Sequence, residues 1–107
     1  MIPQFLFFKR RTGGGDGNTC ETAIDLGSAN YVAVSFSAGW YAWHYPATGL
    51  TLTASFSTGD GVNFRLYETC GGALIYEGQS ISIPAPSPMV FRIQLLGDST
   101  NVTLLAY

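Results

Sequence analysis

The sequence predicts an all-β fold: a two-sheet antiparallel sandwich of about eight strands, with jelly-roll or Greek-key-like connections and an N-terminal extended arm. Three observations lead there. Short segments alternate apolar and polar residues with the period of two that sets every second side chain on one face of a strand. Between them stand Gly, Pro, Asn, Asp and Ser, the residues that turn a chain. Only 11% of the 107 residues are charged while 47% are apolar. The outward strand faces are therefore covered mainly by uncharged Ser, Thr, Asn and Gln, since an average soluble protein carries roughly 25% charged residues. A chain of this length makes one domain and withdraws roughly 60 to 70% of its unfolded surface from water, enough for a core without a metal.

The first element is an arm. Phe5, Leu6, Phe7 and Phe8 form a short apolar run followed by Lys9, Arg10 and Arg11. A secretory signal places its charges before a longer apolar run, so the segment does not read as one. Its aromatics add a strand to the sheet, or dock in a partner's groove with the basic end on an acidic surface, or the segment is a disordered tail or a weak membrane-surface contact. Residues 12–18 hold three consecutive glycines, a flexible hinge. With no strand before them and no Lys-Ser/Thr after, these glycines are not a phosphate loop. The chain divides into arm and hinge, 1–18, and sandwich, 19–107.

The strands follow. Ile24 and Leu26 share a face of an irregular edge. In residues 31–37, Val32, Val34 and Phe36 are expected on the core face, alternating with Tyr31, Ala33 and Ser35. Residues 39–46 carry rings on both faces: Tyr41, Trp43 and Tyr45 on one, Trp40, Ala42 and His44 on the other. Packing within the sandwich is the commoner role of such rings. Even so, Trp40 with His44 is a candidate surface aromatic site, because a ring left outside can stack on a sugar or meet a partner. Residues 49–67 show the longest alternation, Leu50, Leu52, Ala54 and Phe56, then Gly59-Asp60-Gly61, then Val62, Phe64 and Leu66. They are expected to form two antiparallel strands joined by a tight turn at the centre of the fold. Short strands flank Gly78. Pro84, Pro86 and Pro88 mark a loop that cannot belong to a central strand. Phe91, Ile93 and Leu95, then Val102, Leu104 and Ala106, supply the last two core faces.

The formal net charge is -2, unevenly spread. Beyond the basic arm, Arg65 and Arg92 stand against Asp16, Glu21, Asp25, Asp60, Glu68, Glu77 and Asp98. Two scattered arginines make no basic face, which argues against a nucleic-acid partner. No apolar stretch has the length of a membrane span. Catalytic and metal signals are equally thin: one histidine, no Cys-X-X-Cys and no Gly-X-Ser-X-Gly elbow. Asp60 reads as a turn residue, and Asp16, Asn18 and Glu21 fall short of a calcium loop. The triplet Asn101-Val102-Thr103 matches a glycosylation acceptor and is read as chance. No catalytic residue, metal or cofactor is expected, and the chain is not expected to be an enzyme. Cys20 and Cys70 are either a disulfide or two buried thiols; paired, they would contribute on the order of 4 kcal/mol.

Thr19-Cys20-Glu21-Thr22-Ala23-Ile24-Asp25-Leu26, the strand with Trp43, Leu50-Thr51-Leu52-Thr53, Phe64-Arg65-Leu66-Tyr67 before Cys70-Gly71-Gly72, and Phe91-Arg92-Ile93 before Val102-Thr103-Leu104 together carry a likeness. Residues 19–107 resemble the bacterial pre-peptidase C-terminal domain, a β-sandwich appended to secreted proteases and surface proteins. The resemblance implies a jelly-roll-like sandwich, a non-catalytic accessory or binding role, and pairing of Cys20 with Cys70.

Two functions are expected from the whole. The first is a structural module of a bacteriophage virion, a capsid decoration or tail or neck accessory, held to capsid or tail subunits by Phe5, Leu6, Phe7, Phe8, Lys9, Arg10 and Arg11, as a homo-oligomer or singly. The second is a secreted or cell-surface module that binds glycan or protein through Trp40, Tyr41 and the loops.

Overall fold

The alternating segments become nine strands in a computed structural model that describes residues 16–107. The arm residues Phe5 to Arg11 lie outside the described residues. The strands are β1 (Ile24–Asp25), β2 (Tyr31–Phe36), β3 (Gly39–Tyr45), β4 (Thr53–Thr58), β5 (Phe64–Tyr67), β6 (Leu74–Gly78), β7 (Ser80–Pro84), β8 (Met89–Leu95) and β9 (Ser99–Ala106). No helix occurs among the described residues.

They form a four-stranded sheet in the order β2-β9-β4-β7 and a five-stranded sheet in the order β1-β3-β8-β5-β6. Every pairing is antiparallel except that of β1 with β3. The chain changes sheet at each step, save for the β5–β6 hairpin. With β1 set aside as an edge addition, that order is the double Greek key of a jelly roll.

The two inner faces meet in one aromatic core. Trp43, Tyr45, Phe64, Leu66 and Phe91 enter it from the five-stranded sheet, and Ala54, Phe56, Val102 and Leu104 from the other. Phe56 holds the layers together, edge-on to Trp43 at 5.5 Å and to Phe91 at 4.9 Å between ring centroids. Such ring pairs add about 0.5–1.5 kcal/mol beyond the area they bury. The polar end of Trp43 is satisfied as well, its indole N–H donating to the Ala29 carbonyl at 3.0 Å.

Three sequence expectations are corrected. Residues 49–67 do not form a hairpin: β4 pairs with β9 and β7, while β5 pairs with β8 and β6 in the opposite sheet. Both strands do turn their apolar faces to the core, but from opposite sides, and residues 59–63 arch between the layers. The arch is tied to β9. Gly59 donates to the Asn101 carbonyl at 2.8 Å, and the Asp60 carboxylate accepts from Ser99 Oγ at 2.8 Å and from the Thr100 N–H at 2.9 Å. The Thr58 hydroxyl donates to the Val62 carbonyl across its neck.

The second correction concerns β2. Val34 lies opposite Val102 but Val32 opposite Thr103, so two residues of β2 span one of β9. This bulge reverses the faces beyond it. Val32 turns outward, 62% exposed, and Tyr31 packs against the core in its place; Phe36, on the other side of the bulge, packs against the core as expected. The third concerns Leu50, which is fully exposed, and Leu52, whose φ of 53° is left-handed. An extended strand cannot run through such a residue, so β4 begins at Thr53.

Candidate functional site

The outward face of the five-stranded sheet is where aromatic and charged side chains gather. Register fixes the grid: Trp40 lies opposite Gln94 and Gln94 opposite Arg65, while Ala42 lies opposite Arg92 and Arg92 opposite Tyr67. Trp40 and Tyr67 therefore stand on the two strands that flank β8 and two residues out of register, roughly 12 Å apart at the backbone given about 4.8 Å between neighbouring strands and about 3.3 Å per residue. Their ring centroids are only 5.4 Å apart, at an interplanar angle of 36°. Both rings lean inward and meet above β8. Arg92, on β8, has its Nε buried without a hydrogen-bond partner.

Beside this ring pair lies an open cleft of about 410 Å³, lined by Asn18, Thr19, Cys20, Glu21, Trp40, Tyr67, Gly71 and Gly72. Two chain segments make its walls, and Cys20 and Cys70 join them in a disulfide with the Cα atoms 5.6 Å apart. The first wall is also pinned to β3. Gly17 donates to the Thr22 carbonyl and accepts from the Trp40 N–H, both at 2.7 Å. Glycine is required on both sides of that contact, because a Cβ on Gly39 would come within 2.9 Å of the Gly17 carbonyl oxygen and Gly17 itself has a φ of 78°.

Local bonds shape the rim. The Asp16 carboxylate accepts from the backbone and side-chain N–H groups of Asn18, each at 3.0 Å. The Asn18 backbone N–H and then the Thr22 hydroxyl hold Asp16 below the ordinary carboxylate range. Thr19 and Thr22 share a hydroxyl hydrogen bond at 2.8 Å that closes the turn around Cys20. Away from the cleft, the exposed pair Arg65–Glu77 meets at 3.0 Å, and Glu77 holds the guanidinium further toward its charged form.

Trp40 and His44 share a face but not a site. His44 Nε2 lies 3.1 Å from the Asp25 carboxylate on the neighbouring β1, while Trp40 is paired with Tyr67. Sequence reasoning missed Tyr67 and the wall residues Asn18, Thr19 and Glu21. The alternation of Phe64 and Leu66 already set Tyr67 outward, and pairing the two cysteines would have brought residues 18–21 against Gly71 and Gly72. Among the described residues no group of three or more His, Cys, Asp and Glu is placed to hold a metal ion, and no helix is long and apolar enough to cross a membrane. The arrangement can stack and hydrogen-bond a ligand. Compared with known proteins, the chain matches no family model, no curated protein and no solved structure.

Proposed function

We propose that this chain is a non-enzymatic structural and interaction module of a bacteriophage particle, a capsid decoration or a tail or neck accessory held by its N-terminal arm. The observation that carries the reading is the four-stranded sheet: none of its strands contains a charged residue. Its outward side is set with Thr53, Ser55, Ser57, Ser80, Ser82 and Thr103 around the apolar Val32 and Leu105. A hydroxyl face of this kind costs little to press against a neighbouring subunit, since no charge loses its water. The disulfide suits a protein that works outside a reducing cytosol. The jelly roll is compatible with this setting, as it recurs in viral capsid and lectin domains, a likeness of fold alone.

In this mechanism Phe5 to Phe8 dock by strand addition or groove insertion, Lys9 to Arg11 meet acidic groups, and the hydroxyl face lies over the junction. Deleting residues 1–12 is expected to leave the sandwich with its native circular dichroism and cooperative melt, and to abolish attachment to purified particles in a co-sedimentation assay. Undiminished attachment of the truncated protein would sink the docking mechanism. A second reading, a secreted or cell-surface binding module, is favoured by the cleft at Trp40 and Tyr67 and by the likeness to pre-peptidase C-terminal domains.

A further inference from the structure

We infer that the cleft at Trp40 and Tyr67 is a carbohydrate site that stacks the apolar face of a neutral sugar ring and holds its hydroxyls on the wall formed by residues 18–21. The inference deepens the second reading above, yet it rests on the cleft alone and stands on a particle as well as on a cell surface.

Shape comes first. At about 410 Å³ the cleft falls in the lower part of the range of about 300–1,000 Å³ typical of small-molecule sites. Being open, it admits one residue of a longer glycan with the chain continuing into solvent. The ring geometry then selects the ligand. Two rings can cage an ammonium ion only when the cation fits between their faces. With 5.4 Å between centroids and 36° between planes, Trp40 and Tyr67 are in tilted contact with each other, so no cation fits between them and they present one stepped apolar shelf to the cleft that both line. The electron-rich face of an aromatic shelf attracts the polarised C–H groups on one side of a pyranose.

The rest of the lining answers the other side of the sugar. Asn18, Thr19 and Glu21 supply amide, hydroxyl and carboxylate groups, the donor and acceptor mixture that sugar hydroxyls require. Glu21 is the one charged side chain among the described lining residues, which disfavours sialylated, sulfated or uronic-acid glycans. The site is also built in advance of its ligand. The disulfide joins the two walls, and the Gly17–Trp40 hydrogen bond fixes the first wall to the strand that bears the shelf. Little ordering is then left for the moment of binding.

The test is a printed array of neutral, anionic and amino-bearing oligosaccharides probed with the whole chain, followed by titration of the best neutral glycan. Intrinsic fluorescence is a suitable readout, because Trp43 is fully buried and Trp40 is not. Neutral glycans are expected to bind, and Trp40→Ala and Tyr67→Ala each to weaken them about tenfold or more. Trp40→Phe, which keeps a ring, retains most of the affinity, and thermal melts of each variant separate lost binding from lost folding. Deleting residues 1–12 leaves sugar binding intact, so failure of the arm mechanism and failure of this site are told apart. No neutral glycan bound, a preference for anionic glycans, or undiminished binding by folded Trp40→Ala would each overturn the assignment.

Discussion

The two sheets bury the same kind of face and expose opposite ones. Inside, both follow the period of two and interlock through Phe56, Trp43 and Phe91. Outside, the strands of the four-stranded sheet hold no charged residue, whereas each strand of the five-stranded sheet carries one acidic or basic side chain: Asp25, His44, Arg65, Glu77 and Arg92. The core therefore cannot explain the difference. An uncharged hydroxyl surface suits broad contact with little desolvation, and a surface with rings and charges suits a ligand held by direction and distance. On the proposed reading, attachment falls to one side of the sandwich and recognition to the other.

The largest expected effect comes from removing the clamp on the recognition side. Cys20 and Cys70 are separated by 50 residues in sequence, and opening a loop of that size is expected to cost about 2–4 kcal/mol. The Cys20→Ser, Cys70→Ser double variant should melt at least about 8 °C lower, since each kcal/mol moves a domain of this size by roughly 4–8 °C. It should also lose sugar binding while still folded at low temperature, because the cleft walls are no longer joined. Scanning calorimetry with a parallel glycan titration measures both. An unchanged melting temperature would mean that the two walls hold together without the bond.

A smaller effect probes the arch that carries the chain from one sheet to the other. The Thr100 N–H, and after it the Ser99 hydroxyl, keep Asp60 below its ordinary value of 3.8. A carboxylate depressed by folding stabilises the fold above its unfolded value, and that contribution is lost as pH falls through the folded one. Asp60→Asn should therefore be less stable than the parent at neutral pH, and the gap should narrow below about pH 4 as the parent's carboxylate is protonated. Thermal melts across that range check the sign. A gap that stays constant with pH would show that the side chain's shape, and not its charge, secures the arch.

The arch also shows what local pattern can and cannot disclose. Alternation identified which side of each segment is apolar, and Tyr41, Trp43, Tyr45, Phe91, Ile93 and Leu95 all lie buried on the core face where the pattern set them. It could not say which sheet a strand joins, because a strand facing the core from above and one facing it from below have the same period. Gly59-Asp60-Gly61 is equally good chemistry for a hairpin and for an arch; the arch goes with pairings far along the chain, β4 with β9 and β5 with β8, and Ser99 and Thr100 hold it. Val32 escaped for a similar reason, since a bulge is a property of the pair β2–β9 and not of β2 alone. Trp40 was legible as an outward ring. Its meeting with Tyr67 was not, as it depends on the register of three strands.

The smallest effect on stability should accompany a large one on attachment. Ser82 is exposed on the outward side of β7, an edge strand, where its hydroxyl meets Ser55 at 3.2 Å and the Tyr107 hydroxyl at 3.4 Å. Lysine is well tolerated on sheet edges, and a surface substitution of this kind changes stability by no more than about 0.5 kcal/mol. Ser82→Lys should thus melt with the parent and bind neutral glycan with the parent's affinity. Its attachment to particles should fall sharply, because a charge now has to be desolvated in the contact. Attachment equal to the parent's would free the hydroxyl face from the interface and leave the arm to carry it alone. Lost glycan binding, by contrast, would show that the two faces are coupled through the core and do not act independently.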